Sequence, residues 1–508
     1  MSDERKIKIG ILIFLLLSYG LFLIRPINLA AADLGRHLKN GEIILKTGFS
    51  GIINTNYYSY TYPDFPFINH HWGSGVIFYL VQKYLGFAGL SFFFSLVSVA
   101  TLLIFFILAW RKSNFTMALF ATVFMLPVLV SRTEIRPEIF SYLLAGGYYL
   151  ILISFINKTS QKRLIWLLPF LECLWINLHI YFFFGLFLIG AFLVQCSWES
   201  FLKSRQIKIN KDLLIVLLLS LIACLINPAG IRGLFYPAQI FQNFGYRLLE
   251  NQPVWFLNKI IRYPPNLYFE IAFGVFAAGW LFNILQRRQI FWADLFISLF
   301  VSFLAWTAVR NFTLFGYFAL VFTAANFKSF RLGYFTAASA LLGLFFGFFM
   351  LNPVYWIGQS HFGWGLVKKN MAAVDFFRTE GLPGPIFNNY DDGGYLIFGL
   401  YPVQKVFVDN RPEAYPAIFF QQTYIPMQED NQKWQEVDQK YHFESIFFYR
   451  HDLTPWGQTF LVNRIRDSAW APIYVDDWFI IFLRRDEKNQ KLISRFELPQ
   501  SIFSVISQ

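Results

Sequence analysis

The sequence predicts an α-helical polytopic membrane protein with a C-terminal extracytoplasmic α/β domain, and three observations carry that expectation. The 508 residues are 56% hydrophobic and 20% aromatic but only 15% charged, which lies outside the make-up of an ordinary soluble chain. Apolar runs of the length a bilayer needs recur from the N-terminus to about residue 351. Beyond that point charges of both signs return and short apolar runs alternate with helical patterns. The expected division is a transmembrane domain over 1–351 and an extracytoplasmic α/β domain over 352–508.

The first run, "IKIGILIFLLLSYGLFLI", is followed by no small-residue cleavage site and reads as a retained span. About eleven spans fit the pattern, near 9–24, 88–110, 115–131, 139–156, 164–178, 180–196, 213–228, 267–286, 291–308, 312–327 and 333–351. The 164–196 stretch fits only as two shortish helices turning near "NLH". With this count the basic clusters fall at every second loop: Arg5/Lys6/Lys8, Arg111/Lys112, Lys158/Lys162/Arg163, Lys203/Arg205/Lys208/Lys211, Arg287/Arg288 and Lys328/Arg331. Short cytoplasmic loops are the ones enriched in Lys and Arg. The expectation is a multi-pass protein of the cell membrane with a cytoplasmic N-terminus and an outer C-terminal domain. The net charge of +12 is then that of cytoplasmic anchors and requires no nucleic acid.

Cys173, Cys196 and Cys224 lie in apolar runs without metal-ligand spacing and read as packing residues. In the C-terminal part "PIFNN", "KVFVDN", "SIFFY" and "WFIIFLRR" read as strands and "NMAAVDFFRTE" as a helix. Their order is compatible with a parallel sheet or a mixed one.

The first outer loop, about 25–87, is the longest in the membrane part. Leu34, Leu38, Ile44 and Leu45 recur there at helical spacing, with Asp33, Arg36 and His37 on the opposite side, the pattern of an amphipathic helix in the membrane interface. Asp33 is either the N-cap of that helix or a carboxylate aimed at a substrate. Further along, Tyr57, Tyr58, Tyr60, Tyr62 and Trp72 are interleaved with Asn69, His70 and His71. Aromatic residues at this density suit a sugar-binding or an interfacial surface. The histidine pair is either structural or, with Asp33, a holder for a divalent cation.

Other outer loops carry charges that topology does not require. "SRTEIRPEIF" supplies Arg132, Glu134, Arg136 and Glu138, "AVRNF" supplies Arg310, and the loop after "NPAG" adds Arg232, Arg247, Lys259 and Arg262. Lys259 and Arg262 read as headgroup anchors. Arg132, Arg136 and Arg310 read equally as anchors or as an anion site, because guanidinium forks match phosphate oxygens.

The ordered motifs "DLGRHLKNGEIILKTG", "YYSYTYPDFPFINHHW", "RTEIRPEIFSYLL", "LWINLHIYFFFG", "INPAG", "AVRNFTLF" and "YDDGGYLIFGLYPVQKVFVDNRPEAY" resemble those of a mannosyltransferase-like group of bacterial membrane proteins. That group is placed with the GT-C superfamily, polytopic glycosyltransferases that use lipid-phosphate-linked sugars. The resemblance covers nearly the whole chain and departs from the group at Gly35 and Arg36, where aromatic residues are usual after the aspartate. It implies a GT-C-like fold and an inverting transfer of sugar from a polyprenyl-phosphate-linked donor to an extracytoplasmic glycan, lipid or protein acceptor. It also implies that Asp33 matches the first-loop acidic residue central to transfer. Physical chemistry points the same way, since such a displacement needs a carboxylate to take the acceptor proton and cations to stabilise the departing phosphate. Asp33 is the expected catalytic group, as base or metal ligand. Arg132, Arg136 and Arg310 are the expected phosphate clamp, with Glu134 an expected substrate-binding residue beside them. Arg36, His37, His70, His71 and Trp72 are the expected further substrate contacts.

Two other classes compete. A transporter would place ionisable groups deep in the helices, where Glu172 lies. A polymerase or ligase of lipid-linked glycans would share the outer arginines but has no need of the long first loop or the terminal domain. A non-catalytic assembly role is the remaining alternative.

Overall fold

The computed structural model describes residues 3–30, 32–49, 51–157, 162–261, 263–330 and 363–503. The expected span over 333–351 and the basic residues Lys158, Arg262 and Arg331 lie outside the described residues. In chain order the membrane part contains α1 (Asp3–Leu23), α2 (Leu34–Thr47), α3 (Trp72–Lys112), α4 (Phe115–Leu129), α5 (Glu138–Ile156), α6 (Leu168–Leu178) and α7 (Phe182–Ser204). There follow α8 (Lys211–Ala223), α9 (Ile231–Phe235), α10 (Val254–Ile260), α11 (Pro264–Leu285), α12 (Trp292–Thr307) and α13 (Phe312–Asn326).

Among the described residues α1, α3, α5, α7 and α11 are long and apolar enough to cross a membrane, and the chain is an integral membrane protein. The sequence suggested about eleven spans. Fewer reach full length because α4 and α13 stop at 15 residues and α12 at 16, short of the roughly 20 a bilayer core needs. The helices α6 and α7 are separate, with His179 extended between them.

The chain folds as two compact units, one of residues 1–26, 88–237 and 247–365, the other of residues 27–87, 238–246 and 366–508. These bounds differ from a division at 351/352, because the first-loop segment is built into the same unit as the C-terminal region. The reason is a set of specific ties within that second unit. Ser59 and Val406 form a bridge, Tyr60 Oη donates to Ile386 O at 2.8 Å, and Leu29 N donates to Asn370 Oδ1 at 3.0 Å. Gly86, at φ +67°, interrupts α3 beside the 87/88 boundary, a conformation in which glycine carries no Cβ penalty.

In the first unit α13 is the centre. Its residues from Phe312 to Ala324 are all buried, and it packs on α4, α11 and α12, as a helix apolar on every side must. The outward faces of α1, α8 and α11 expose Leu17, Leu21, Leu218, Ile222, Ile271 and Leu281, which suits contact with lipid. Glu172, fully buried on α6, accepts a hydrogen bond from Tyr148 Oη at 2.6 Å, with Cys224 Sγ 3.7 Å away. Its carboxyl is thus enclosed between α5, α6 and the end of α8.

The second unit contains a four-stranded mixed sheet in the order β1-β2-β4-β3, formed by β1 (Ile386–Asn388), β2 (Ser445–Tyr449), β3 (Trp470–Val475) and β4 (Phe479–Arg484). β1 and β2 are parallel, whereas β4 runs antiparallel to both β2 and β3. The segment "KVFVDN" is a loop rather than the expected strand. Asn388 explains this, since its Oδ1 accepts from Phe407 N at 2.8 Å and its Nδ2 donates to Val408 O at 2.8 Å. One side chain thus occupies the backbone groups a ladder would have used.

Candidate functional site

At one end of α4, α5 and α13 in the first unit, three arginines and three glutamates converge. Arg132 and Arg136 sit on the short link between α4 and α5, Glu138 opens α5, Glu250 lies in the turn Leu249–Asn251, and Arg310 lies in the turn Val309–Asn311. The two turns are joined by Val309 N donating to Gln252 O at 3.2 Å. Arg132 makes a two-pronged pair with Glu138, Nε to Oε2 and Nη2 to Oε1, both at 3.2 Å. Its Nη1 reaches Glu250 Oε2 at 3.2 Å, where Arg136 Nη1 also donates at 2.9 Å. Arg310 Nη2 donates to Glu138 Oε1 at 3.1 Å, and its Nη1 lies 3.9 Å from Glu250 Oε1. Arg136 Nε donates to Glu134 Oε2 at 2.8 Å.

The electrostatics follow from that convergence. Burial works to raise the Glu250 carboxyl, but Arg136, Arg132 and Arg310 together hold it far below the usual carboxylate range. Arg136 likewise holds Glu134 down. For Arg310, burial works against its charge, yet Tyr181, Glu138 and Glu250 more than restore it, so the guanidinium is firmly cationic. Its Nε is buried with no hydrogen-bond partner among the described residues. The sequence singled out the three arginines and Glu134, and the structure brings them together. It did not single out Glu250, whose carboxylate sits where all three guanidinium groups meet. Its only signal was an acid in a loop otherwise marked by Arg247 and Lys259.

The second unit holds the remaining candidates. Asp33 occupies the position before α2 but has helical dihedrals, φ −65° and ψ −19°, and makes no side-chain capping bond. The capping alternative therefore lacks the hydrogen bond that defines it. Arg36 Nη2 lies 3.7 Å from Asp33 Oδ1, and Arg36 Nε donates to Asn410 Oδ1 at 3.3 Å. The polar side of α2 does not face an interface as the periodicity suggested: Arg36, His37 and Asn40 are buried like Leu34 and Leu38. Close backbone approach is the cause. A Cβ on Gly35 would lie 2.6 Å from Gly394 O in the helix Gly393–Leu400, and one on Gly41 would lie 2.2 Å from Gly75 O at the start of α3.

His37, His71 and His70 form a ring cluster, with centroids 5.5 Å apart for His37–His71 and 3.8 Å for His70–His71. Trp72 meets Phe49 edge-on at 5.0 Å. Of the tyrosines, Tyr58 is fully buried with its Oη on Asn40 Oδ1 at 2.7 Å, whereas Tyr57, Tyr60 and Tyr62 are half-buried, Tyr60 being fixed to β1. Asp409 and Arg411 are buried as a two-pronged pair, and Arg411 also donates to Asn56 Oδ1 at 2.8 Å. These groups hold the fold of the unit together. Two carboxyls near Asp33 were not anticipated. Asp391, just past β1, is pushed up to about 7 by burial, then by Asp452 and Asp33. Burial also raises Glu413, with Asp33 adding to it and Arg36 opposing it. Among the described residues no three of His, Cys, Asp and Glu are grouped so as to hold a metal ion.

No family model and no curated protein matches the chain. Solved structures do. The oligosaccharyltransferase AglB from Archaeoglobus fulgidus, in complex with an inhibitory peptide and a dolichol-phosphate, is similar over 94% of this chain and 74% of its own, with a TM-score of 0.61 at 13% identity. ArnT from Cupriavidus metallidurans is similar in the apo state over 98% of this chain and 100% of its own, with a TM-score of 0.53 at 10% identity. The undecaprenyl phosphate complex of ArnT gives 0.51 at 10% identity, covering 97% and 99%. Over most of its length the chain therefore shares its fold with these two proteins.

Proposed function

We propose that the chain is a membrane glycosyltransferase that moves a sugar from a polyprenyl-phosphate-linked donor to an extracytoplasmic acceptor with inversion. The observation that carries this reading is the meeting of Arg132, Arg136 and Arg310 on Glu250 in a chain of this fold. A carboxylate that draws three guanidinium groups marks a place suited to phosphate oxygens. In the proposed step an acceptor hydroxyl oxygen attacks the anomeric carbon while the bond from that carbon to the phosphate oxygen breaks. The electron pair leaves with the polyprenyl phosphate, whose charge the arginines balance, and the acceptor proton passes to Asp33. Asp33 is proposed for that role because it stands at the start of α2 with Arg36 Nη2 3.7 Å from its Oδ1, a carboxylate placed beside a cation. Arg36, His37, His70, His71 and Trp72 are proposed to contact substrate, and Glu134 to hold Arg136. The alternation of basic loops supports a cytoplasmic N-terminus and an outer second unit. The test is to incubate the purified protein with a panel of polyprenyl-phosphate sugars and measure free lipid phosphate. Release from one donor supports the assignment, and no release from any donor rejects it.

A further inference from the structure

At the opposite ends of α5, α12 and α13 from the arginine–glutamate cluster, the first unit forms a half-open cavity of about 660 Å³. Its polar lining is unbalanced. Arg111, Lys112, Arg288 and Lys328 line it with Asp294 as the one carboxylate among the described residues, and Asp294 is already engaged by Lys112 and by Tyr149 Oη at 2.5 Å. The floor is the end of α13. Asn326 is 3% exposed and accepts from Asn283 Nδ2 at 2.8 Å through its Oδ1, while its Nδ2 and Asn283 Oδ1 both lack a hydrogen-bond partner among the described residues. Arg288, which also lines the cavity, spends one nitrogen on Asn326 O at 3.0 Å and lies over the Phe282 ring at 5.7 Å. A buried amide donor without an acceptor is costly, and cations at this density call for an anion that accepts hydrogen bonds. Apolar walls from Leu108, Ile153 and Trp280 complete the lining.

We propose that this cavity binds the phosphate of an anionic phospholipid headgroup. The lipid source is favoured because the cavity lies at the ends of membrane helices and combines basic groups with apolar walls, which is how basic pockets between such helices take anionic headgroups. The site is separate from the proposed donor site, being at the other end of the same helices, so it stands or falls independently of the glycosyltransferase reading.

The test uses the full-length protein in neutral detergent, with native mass spectrometry to count retained phosphatidylglycerol and phosphatidylcholine, and with inorganic phosphate as a third probe. The double variant Arg111→Gln/Lys328→Gln removes two exposed cavity cations. A charge-matched control, Lys208→Gln/Lys211→Gln, removes two exposed cations elsewhere. Phosphatidylglycerol is expected to be retained over phosphatidylcholine, with about thirty-fold weaker binding in the cavity variant and none of that loss in the control. If millimolar inorganic phosphate displaces the lipid and binds the wild type alone, the anion site holds and its source is free phosphate. Equal retention of the two lipids, or equal loss in the control, overturns the proposal.

Discussion

Replacing Glu250 with Gln keeps the shape of the side chain and removes the charge on which Arg132, Arg136 and Arg310 meet. Two guanidinium nitrogens lie at 2.9 and 3.2 Å from its Oε2, and a third at 3.9 Å from Oε1. Hydrogen bonds to a charged group contribute about 1.5–3 kcal/mol each. Glu250 is 26% exposed, so water screens part of that gain, and the expected loss is about 2–4 kcal/mol. The pH dependence fixes the sign. The carboxyl is depressed in the folded state from its ordinary 4.5, so its contribution is complete above that value and is lost as pH falls through the folded value. Thermal unfolding of wild type and Glu250→Gln in the same detergent should therefore show a constant gap from pH 8 to pH 5 that narrows at more acid pH. The same variant should be stabilised more strongly than wild type by added polyprenyl phosphate, because the anion no longer shares the guanidinium groups with Glu250. A gap absent at pH 7, or unchanged between pH 7 and pH 3, would refute the reasoning.

Asp33→Asn should abolish transfer at a stability cost of no more than about 1 kcal/mol, that of weakening a partly exposed pair with Arg36, since no capping bond is lost; transfer persisting at the wild-type rate would mark Asp33 as structural. Asp391 is raised from 3.8 to about 7 in the folded state, so the second unit should weaken as pH rises through about 7. Hydrogen exchange around β1 should show that weakening in wild type and not in Asp391→Asn, and identical pH profiles would count against the shift. Gly35→Ala forces a Cβ against Gly394 O at 2.6 Å and should cost about 1–3 kcal/mol, read as faster proteolysis within 27–87; unaltered cleavage would mean α2 can shift at no cost. Deleting residues 352–508 should expose α2 and the tyrosine segment to protease, because their partners Asn410, Ile386 and Val406 are removed; a protease-resistant 27–87 segment would show that it folds alone.

Much of the helical framework was legible because each run between residues 9 and 327 is apolar enough to dictate its own hydrogen bonding. β1, β2 and β4 were likewise visible as short apolar runs. β3 was not, since "WAPIYV" carries Pro472 next to a register shift against β4, and proline breaks the strand signal. The tyrosines of 57–62 looked like a surface, but Tyr58 is buried and Tyr60 is tied down by groups more than 300 residues away, at Tyr401, Ile386 and Val406. The arginines of the cluster were legible as charges that membrane topology does not require. Glu250 was not, because its meaning comes from partners 118 and 114 residues distant, Arg132 and Arg136. Asp33 was legible by position, whereas Asp391 and Glu413 acquire theirs only when the second unit closes around them.

The central claim is that sugar leaves a lipid phosphate in a displacement that needs Asp33. Its most direct test supplies the accepted polyprenyl-phosphate sugar with its acceptor to wild type and Asp33→Asn, and measures lipid phosphate released, sugar transferred and the anomeric configuration of the product. The account predicts equal amounts of lipid phosphate and inverted product from wild type and neither from the variant. Retained configuration, or transfer by Asp33→Asn at the wild-type rate, would contradict it.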